Sequence, residues 1–274
     1  MSSETLVIQT GLSERPRKSR WPARLDILQS VSGLILALFM WGHMFFVASI
    51  LINKDAMWTI TKLFEGYVNG HYLFGDKSHP WLVSIVVAFV AVIFIVHAAM
   101  AVRKFPINYR QLQVYRAHAK SMRHGDTTLW IWQVYTGFAM FFLASAHLYQ
   151  MMVFPQNIGP FGSGDRMWSD GLWPFYLVLL LAVELHGGIG LYRLAVKWDK
   201  PKLSRAFLKN FKWGLTAFFL ILGLATMAAY MKIGYEHRHN YGQPYVPAWI
   251  QSQHEAERAV EHSTGFTITE EVTK

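Results

Sequence analysis

Between Trp173 and Lys197 the sequence reads WPFYLVLLLAVELHGGIGLYRLAVK. About 20 residues pass before the first basic side chain, enough for a helix to cross a hydrocarbon layer roughly 30 Å thick. In the middle stand Glu184 and His186, which hydrocarbon does not tolerate without partners. Gly187, Gly188 and Gly190 strip part of the same helix surface of side chains. Such a helix either packs closely on a neighbour, with its His hydrogen-bonded, or holds a large planar ligand. A single His does not decide between the two.

The rest of the chain resembles this stretch. Of 274 residues, 53% are hydrophobic and only 16% charged, the balance of an all-α polytopic membrane protein with short polar ends. There are no cysteines, so iron–sulfur clusters, thioether-linked haem and disulfides are excluded from this chain. Residues 1–24 form a polar N-terminal segment ending in RPRKSRWPAR, with no apparent cleavable signal. A transmembrane domain over 25–234 follows. Its first span covers about Leu25 to Ile52 and its second Trp81 to Val102; the third runs from near Thr127 to Phe154. The fourth is the stretch above and the fifth covers about Trp213 to Met231. Amphipathic MWTITKLFEGYV lies between the first two spans, and a loop with Gly159, Gly162 and Gly164 precedes the fourth. Residues 235–274 form a polar tail, expected to be extended or disordered and to lie in the periplasm.

Five spans place the two ends on opposite sides. Lys and Arg number 5 in the N-terminal segment, 6 in the second connector and 7 in the fourth, leaving 8 of 26 for the other side. The positive-inside rule puts the N-terminus in the cytoplasm. Basic loops of this kind are topology signals with room to dock a soluble partner; nucleic acid is not an expected ligand.

Of 12 histidines, four fall one each in the first four spans: His43, His97, His147 and His186. Each costs free energy in hydrocarbon unless paired or ligating. His97 lies six residues before Arg103 and His186 seven before Arg193, so both sit about 10 Å from the cytoplasmic end. His43 and His147 lie roughly 12 to 15 Å from the outer end. The simplest pairing by depth makes two bis-imidazole layers, the ligation of two b-type haems in a four-helix bundle, with the fifth helix outside it. One zinc or copper ion cannot be surrounded by four His split by depth. Gln29, Ser30, Trp130, Arg193 and Lys197 near the inner ends, and Arg166 on the outer side, are candidates for haem propionates. An interfacial role serves each of them as well. Glu184 projects roughly 200° from His186, toward another helix, and an intramembrane carboxyl suits proton transfer. Glu65, in KLFEG on the outer side, stands where an outer haem would meet a lipid-soluble quinol.

The stretches LDILQSVSGLILALFMWGHMFFVASI, VHAAMAVRKFPINYRQ, MRHGDTTLWIWQVYTGFAMFFLASAHLY and VELHGGIGLYRLAVKW carry a resemblance. Over about residues 14 to 235 the chain resembles the dihaem cytochrome b subunit of quinol:fumarate reductases, in the succinate:quinone oxidoreductase superfamily. The resemblance implies a membrane anchor for a flavoprotein and an iron–sulfur subunit on the cytoplasmic face of a bacterial inner membrane, in a dimer of heterotrimers. It implies His43 and His147 for the distal haem and His97 and His186 for the proximal one. Glu65 then matches the residue that accepts a proton from menaquinol, and Glu184 the acid that carries protons across the membrane. Gln29, Ser30, Trp130, Arg166 and Lys197 match propionate contacts. The implied reaction is menaquinol oxidation driving fumarate reduction. Succinate oxidation, or a cytochrome b of a hydrogenase or formate dehydrogenase, would share the four-His logic, while a non-redox transporter would lack haem.

Overall fold

The computed structural model describes residues 19–68, 71–75, 77–122, 125–199, 202–252, 255, 256 and 258. Residues 1–18 of the N-terminal segment and 259–274 of the tail lie outside them. Among the described residues five helices are long and apolar enough to cross a membrane. These are α1 (Trp21–Ala48), α3 (Trp81–Val102), α5 (Gly125–Val153), α7 (Trp173–Trp198) and α8 (Arg205–His237). Shorter elements connect them: α2 (Lys54–Phe64), a two-stranded hairpin of β1 (Tyr67–Val68) and β2 (His71–Tyr72), α4 (Tyr109–Met122) and α6 (Pro160–Trp168).

Local sequence explains most boundaries. Pro22 and Pro174 stand in the first turns of α1 and α7, where a missing N–H costs nothing, and Pro80 caps α3. Asn53 caps α2 by accepting from the Ala56 amide at 2.7 Å, and Ser204 caps α8 by accepting from the Phe207 amide at 3.2 Å. Gly159, at φ 130°, makes the turn into α6 that an L side chain would resist.

In the bundle α1 packs on α3, α3 on α5, α5 on α7, and α7 back on α1. α8 lies outside this ring of four, against α7 and α1. Apolar side chains also point outward: Leu38 is 59% exposed, Phe89 65% and Ile221 69%, the surface lipid covers. On the side where α1 ends, α6 and α8 meet backbone to backbone. A Cβ on Gly164 would lie 2.9 Å from the Gly234 amide nitrogen, and one on Gly234 would overlap the Gly164 carbonyl.

Three expectations change. α8 begins eight residues before Trp213 and runs past Met231 to His237, because its charged ends remain helical beyond the apolar window. The glycine loop before the fourth span is largely α6. The tail is not free over its described part: Pro247 is fully buried, and Tyr241 and Tyr245 hydrogen-bond to acids elsewhere in the chain.

Candidate functional site

His43 on α1 and His147 on α5 face each other with ring centroids 6.1 Å apart, their planes at 77°. His97 on α3 and His186 on α7 do the same at 6.4 Å and 87°. Two metal–imidazole bonds of about 2 Å, plus roughly 1 Å from each nitrogen to its ring centre, amount to about 6 Å. Each pair therefore has the separation that one six-coordinate iron needs. Among the described residues no three His, Asp or Glu gather as a cluster able to hold a bare metal ion.

Hydrogen bonds orient the rings. His97 Nδ1 lies 3.2 Å from the Gln29 carbonyl and 3.3 Å from Ser32 Oγ. His186 Nδ1 lies 3.1 Å from the Gln133 carbonyl and 3.3 Å from Thr136 Oγ1. An Nδ1–H donated to a backbone carbonyl leaves Nε2 with its lone pair, the form that ligates metal. His147 Nδ1 stands 3.4 Å from the Tyr176 hydroxyl, which donates to Gln150 Oε1 at 2.9 Å.

Glycine supplies the clearance. A Cβ on Gly33 would sit 2.7 Å from His97 Cε1, and one on Gly137 would sit 2.9 Å from His186 Cε1. Ser32, Gly33, Gln133, Thr136 and Gly137 escape a reading that looks only for ligands. A signal for them exists in the chain. α1 reads QSVSGLILALFMWGH from Gln29 to His43, and α5 reads QVYTGFAMFFLASAH from Gln133 to His147. Both are Gln, two residues, Ser or Thr, Gly, nine residues, His. Each helix uses its first half to seat the His of the next spanning helix and its second half to present its own.

Glu184 is fully buried on α7 and reaches α1, where Trp41 Nε1 donates to its Oε2 at 3.4 Å. Its Oε1 has no partner among the described residues. Trp41 stacks on Phe219 of α8 at 5.5 Å. Where α1 begins and α7 ends, Lys197 Nζ lies 3.4 Å from Ser30 Oγ and 3.6 Å from Asp26 Oδ2. Gln29 Oε1 is buried without a partner among the described residues. Arg193 donates to Gln133 Oε1 at 2.5 Å. Trp130 packs on Tyr115 of α4 at 5.3 Å.

At the other end Glu65, which as a loop acid would ordinarily be solvated, is only 2% exposed. It terminates α2, and its Oε2 accepts from Lys62 Nζ at 2.5 Å and from the Ser78 hydroxyl. Glu65 lines a cavity of about 260 Å³ with Lys62, Gln150 and Arg166, whose guanidinium donates to the Asn157 carbonyl at 2.8 Å. The same cavity is lined by Asp165, also buried, and by Asp170, but Asp165 is held by His237 and Gly242. A polar cavity with a buried carboxylate such as Glu65 can bind a hydroxyl-bearing head group and take its proton.

Comparisons with known proteins agree in kind. The family model for the succinate dehydrogenase/fumarate reductase transmembrane subunit matches residues 106–226. The fumarate reductase cytochrome b subunit of Wolinella succinogenes is 52% identical over 242 residues, 86% of this chain and 93% of that protein. The protein of the same description from Helicobacter pylori strain J99 is 52% identical over 231 residues, 84% of this chain and 89% of its own length.

Proposed function

The chain belongs to the fumarate reductase cytochrome b subunits, and from that premise we propose that it is the menaquinol-oxidising membrane anchor of a bacterial fumarate reductase. It crosses the inner membrane five times, binds haem b, and carries a flavoprotein and an iron–sulfur subunit. The observation that supports the finer reading is the pairing of His43 with His147 and of His97 with His186 at two levels. We assign one b haem to each level. When bound, the two haems supply one-electron carriers between a quinol oxidised on the outer side and the iron–sulfur subunit on the inner side.

The chain's own residues do the rest. Gln29 and Gln133 fix the imidazole tautomers of His97 and His186. Gln29, Ser30, Lys197 and Trp130 would hold propionates on the cytoplasmic side, and Arg166 would hold one on the outer side. Menaquinol binds in the outer cavity, where the Glu65 carboxylate takes the proton from a quinol hydroxyl while Lys62 and Ser78 keep that carboxylate in place. Glu184, turned away from His186 and fixed by Trp41, moves protons toward the cytoplasm and so offsets the charge carried by the electrons.

The basic loops put the N-terminus and residues 1–24 in the cytoplasm, beside the soluble subunits, and the segment after residue 234 in the periplasm. The complex is a dimer of heterotrimers. Membrane lipid covers the outward apolar faces, and nucleic acid is not a partner.

A reduced-minus-oxidised spectrum of the purified complex, with haem quantified per chain, tests the assignment. Two b haems per chain are expected; one or none would overturn it. A smaller change probes the glycine clearance. Gly33→Ala pushes a methyl group into the His97 ring, closer than the roughly 3.5–4.0 Å at which carbon atoms rest. Haem content per chain is expected to fall, while the spectrum of the haem at the other level stays unchanged. A wild-type haem content would show that the ring does not depend on that space.

A further inference from the structure

Function so far leaves the C-terminal segment unused, yet the protein ties it to the outer cavity at several points. At the end of α8 the His237 ring stacks on Phe161 of α6 at 4.0 Å, and its Nδ1 lies 2.8 Å from Asp165 Oδ1. The other oxygen of Asp165 accepts from the Gly242 amide at 2.9 Å. Tyr241 donates to Asp170 at 2.8 Å, and Tyr245 donates to Asp55 of α2 at 2.6 Å. Trp249 then meets Trp58 of α2 edge-on at 5.7 Å, and Pro247 is fully buried between these contacts. Burial, then the bond to Asp55, pushes the Tyr245 hydroxyl up to about 12, so it remains a donor at any physiological pH.

Acids from three places, α2, α6 and the turn after α6, thus each hold the segment. The result is that residues 241–245 line one side of the cavity whose other sides carry Glu65 and Arg166. A carboxylate that takes a proton from a bound head group works best where bulk water is kept out. α2 and α6 supply part of the lining, and the segment after α8 adds to it.

We propose that residues 241–245 are a wall of the quinol-binding cavity, which sets the affinity for a naphthoquinol head group and shields Glu65 from bulk water. This rests on the reading of Glu65 given above. It places Tyr241 and Tyr245 as positioning residues that hold the wall.

The experiment uses the whole complex, a short-tailed naphthoquinol as donor, and two variants: the chain ending at Asn240, and Tyr241→Phe combined with Tyr245→Phe. The Phe pair should raise KM for the naphthoquinol at least about fivefold, the equilibrium worth of one hydrogen bond. The truncation should raise it further. Haem content and dye-driven fumarate reduction, which bypasses this chain, serve as controls of assembly. An unchanged KM in the Phe pair overturns the proposal, and it decides the matter alone if the shortened chain does not accumulate. Glu65→Gln measured alongside separates the two readings. If that variant keeps quinol-driven activity, the cavity is not the quinol site. If it loses activity while the tail variants keep wild-type KM, only the wall is wrong.

Discussion

Glu65→Gln is expected to abolish menaquinol-driven fumarate reduction, with both haems and dye-driven fumarate reduction retained. Gln has nearly the same volume as Glu and can still accept from Ser78 and Lys62, the two side chains that hold Glu65 now. What it lacks is a basic oxygen. Loss of a positioned general base costs about 10²- to 10⁴-fold in rate, which in a multi-subunit assay reads as no activity. The fold should survive. Lys62 keeps 22% of its side-chain exposure, so water can take over the ammonium when the carboxylate is gone. Haem loss in this variant would make Glu65 a structural residue and remove the proton step from the proposal.

His186→Ala should take the haem content from two per chain to one. The His97–His186 level would keep a single imidazole, and the carbonyl of Gln133 with Thr136 Oγ1 would lose the ring they orient. The level formed by His43 and His147 sits on other stretches of α1 and α5, so its absorbance should persist. Quinol-driven electron delivery to the soluble subunits should stop, because the level nearer to them is the one removed. Retention of two haems would show that this pairing of levels is wrong.

The second span was legible to the residue, since Pro80 opens it and Arg103–Lys104 close it. The positions of the four histidines within their spans were legible too, because depth in a helix is a matter of counting. Hydropathy alone underestimates the fifth helix at both ends. Lys209, Lys212, Lys232 and Glu236 lower its hydropathy without breaking it, and the Ser204 cap was the available clue. α6 was unreadable for a different reason. Its glycines look like turn residues, and only the crossing with Gly234 of α8 explains why small residues are needed there. The tail contacts join residues as far apart as Asp55 and Tyr245, and no local pattern announces such a pair. The hydrogen-bond acceptors behind His97 and His186 were legible in principle, through the pattern that α1 and α5 share.

That shared pattern has a consequence for spacing. Gly33 lies against the His97 ring and Gly137 against the His186 ring, and each is followed ten residues later, on its own helix, by His43 or His147. Ten residues of helix rise about 15 Å. Two rods of one bundle are graduated alike, so the interval between the two imidazole levels is a property of the covalent chain. Docking of other subunits can tilt or shift the rods, but it cannot stretch the graduation.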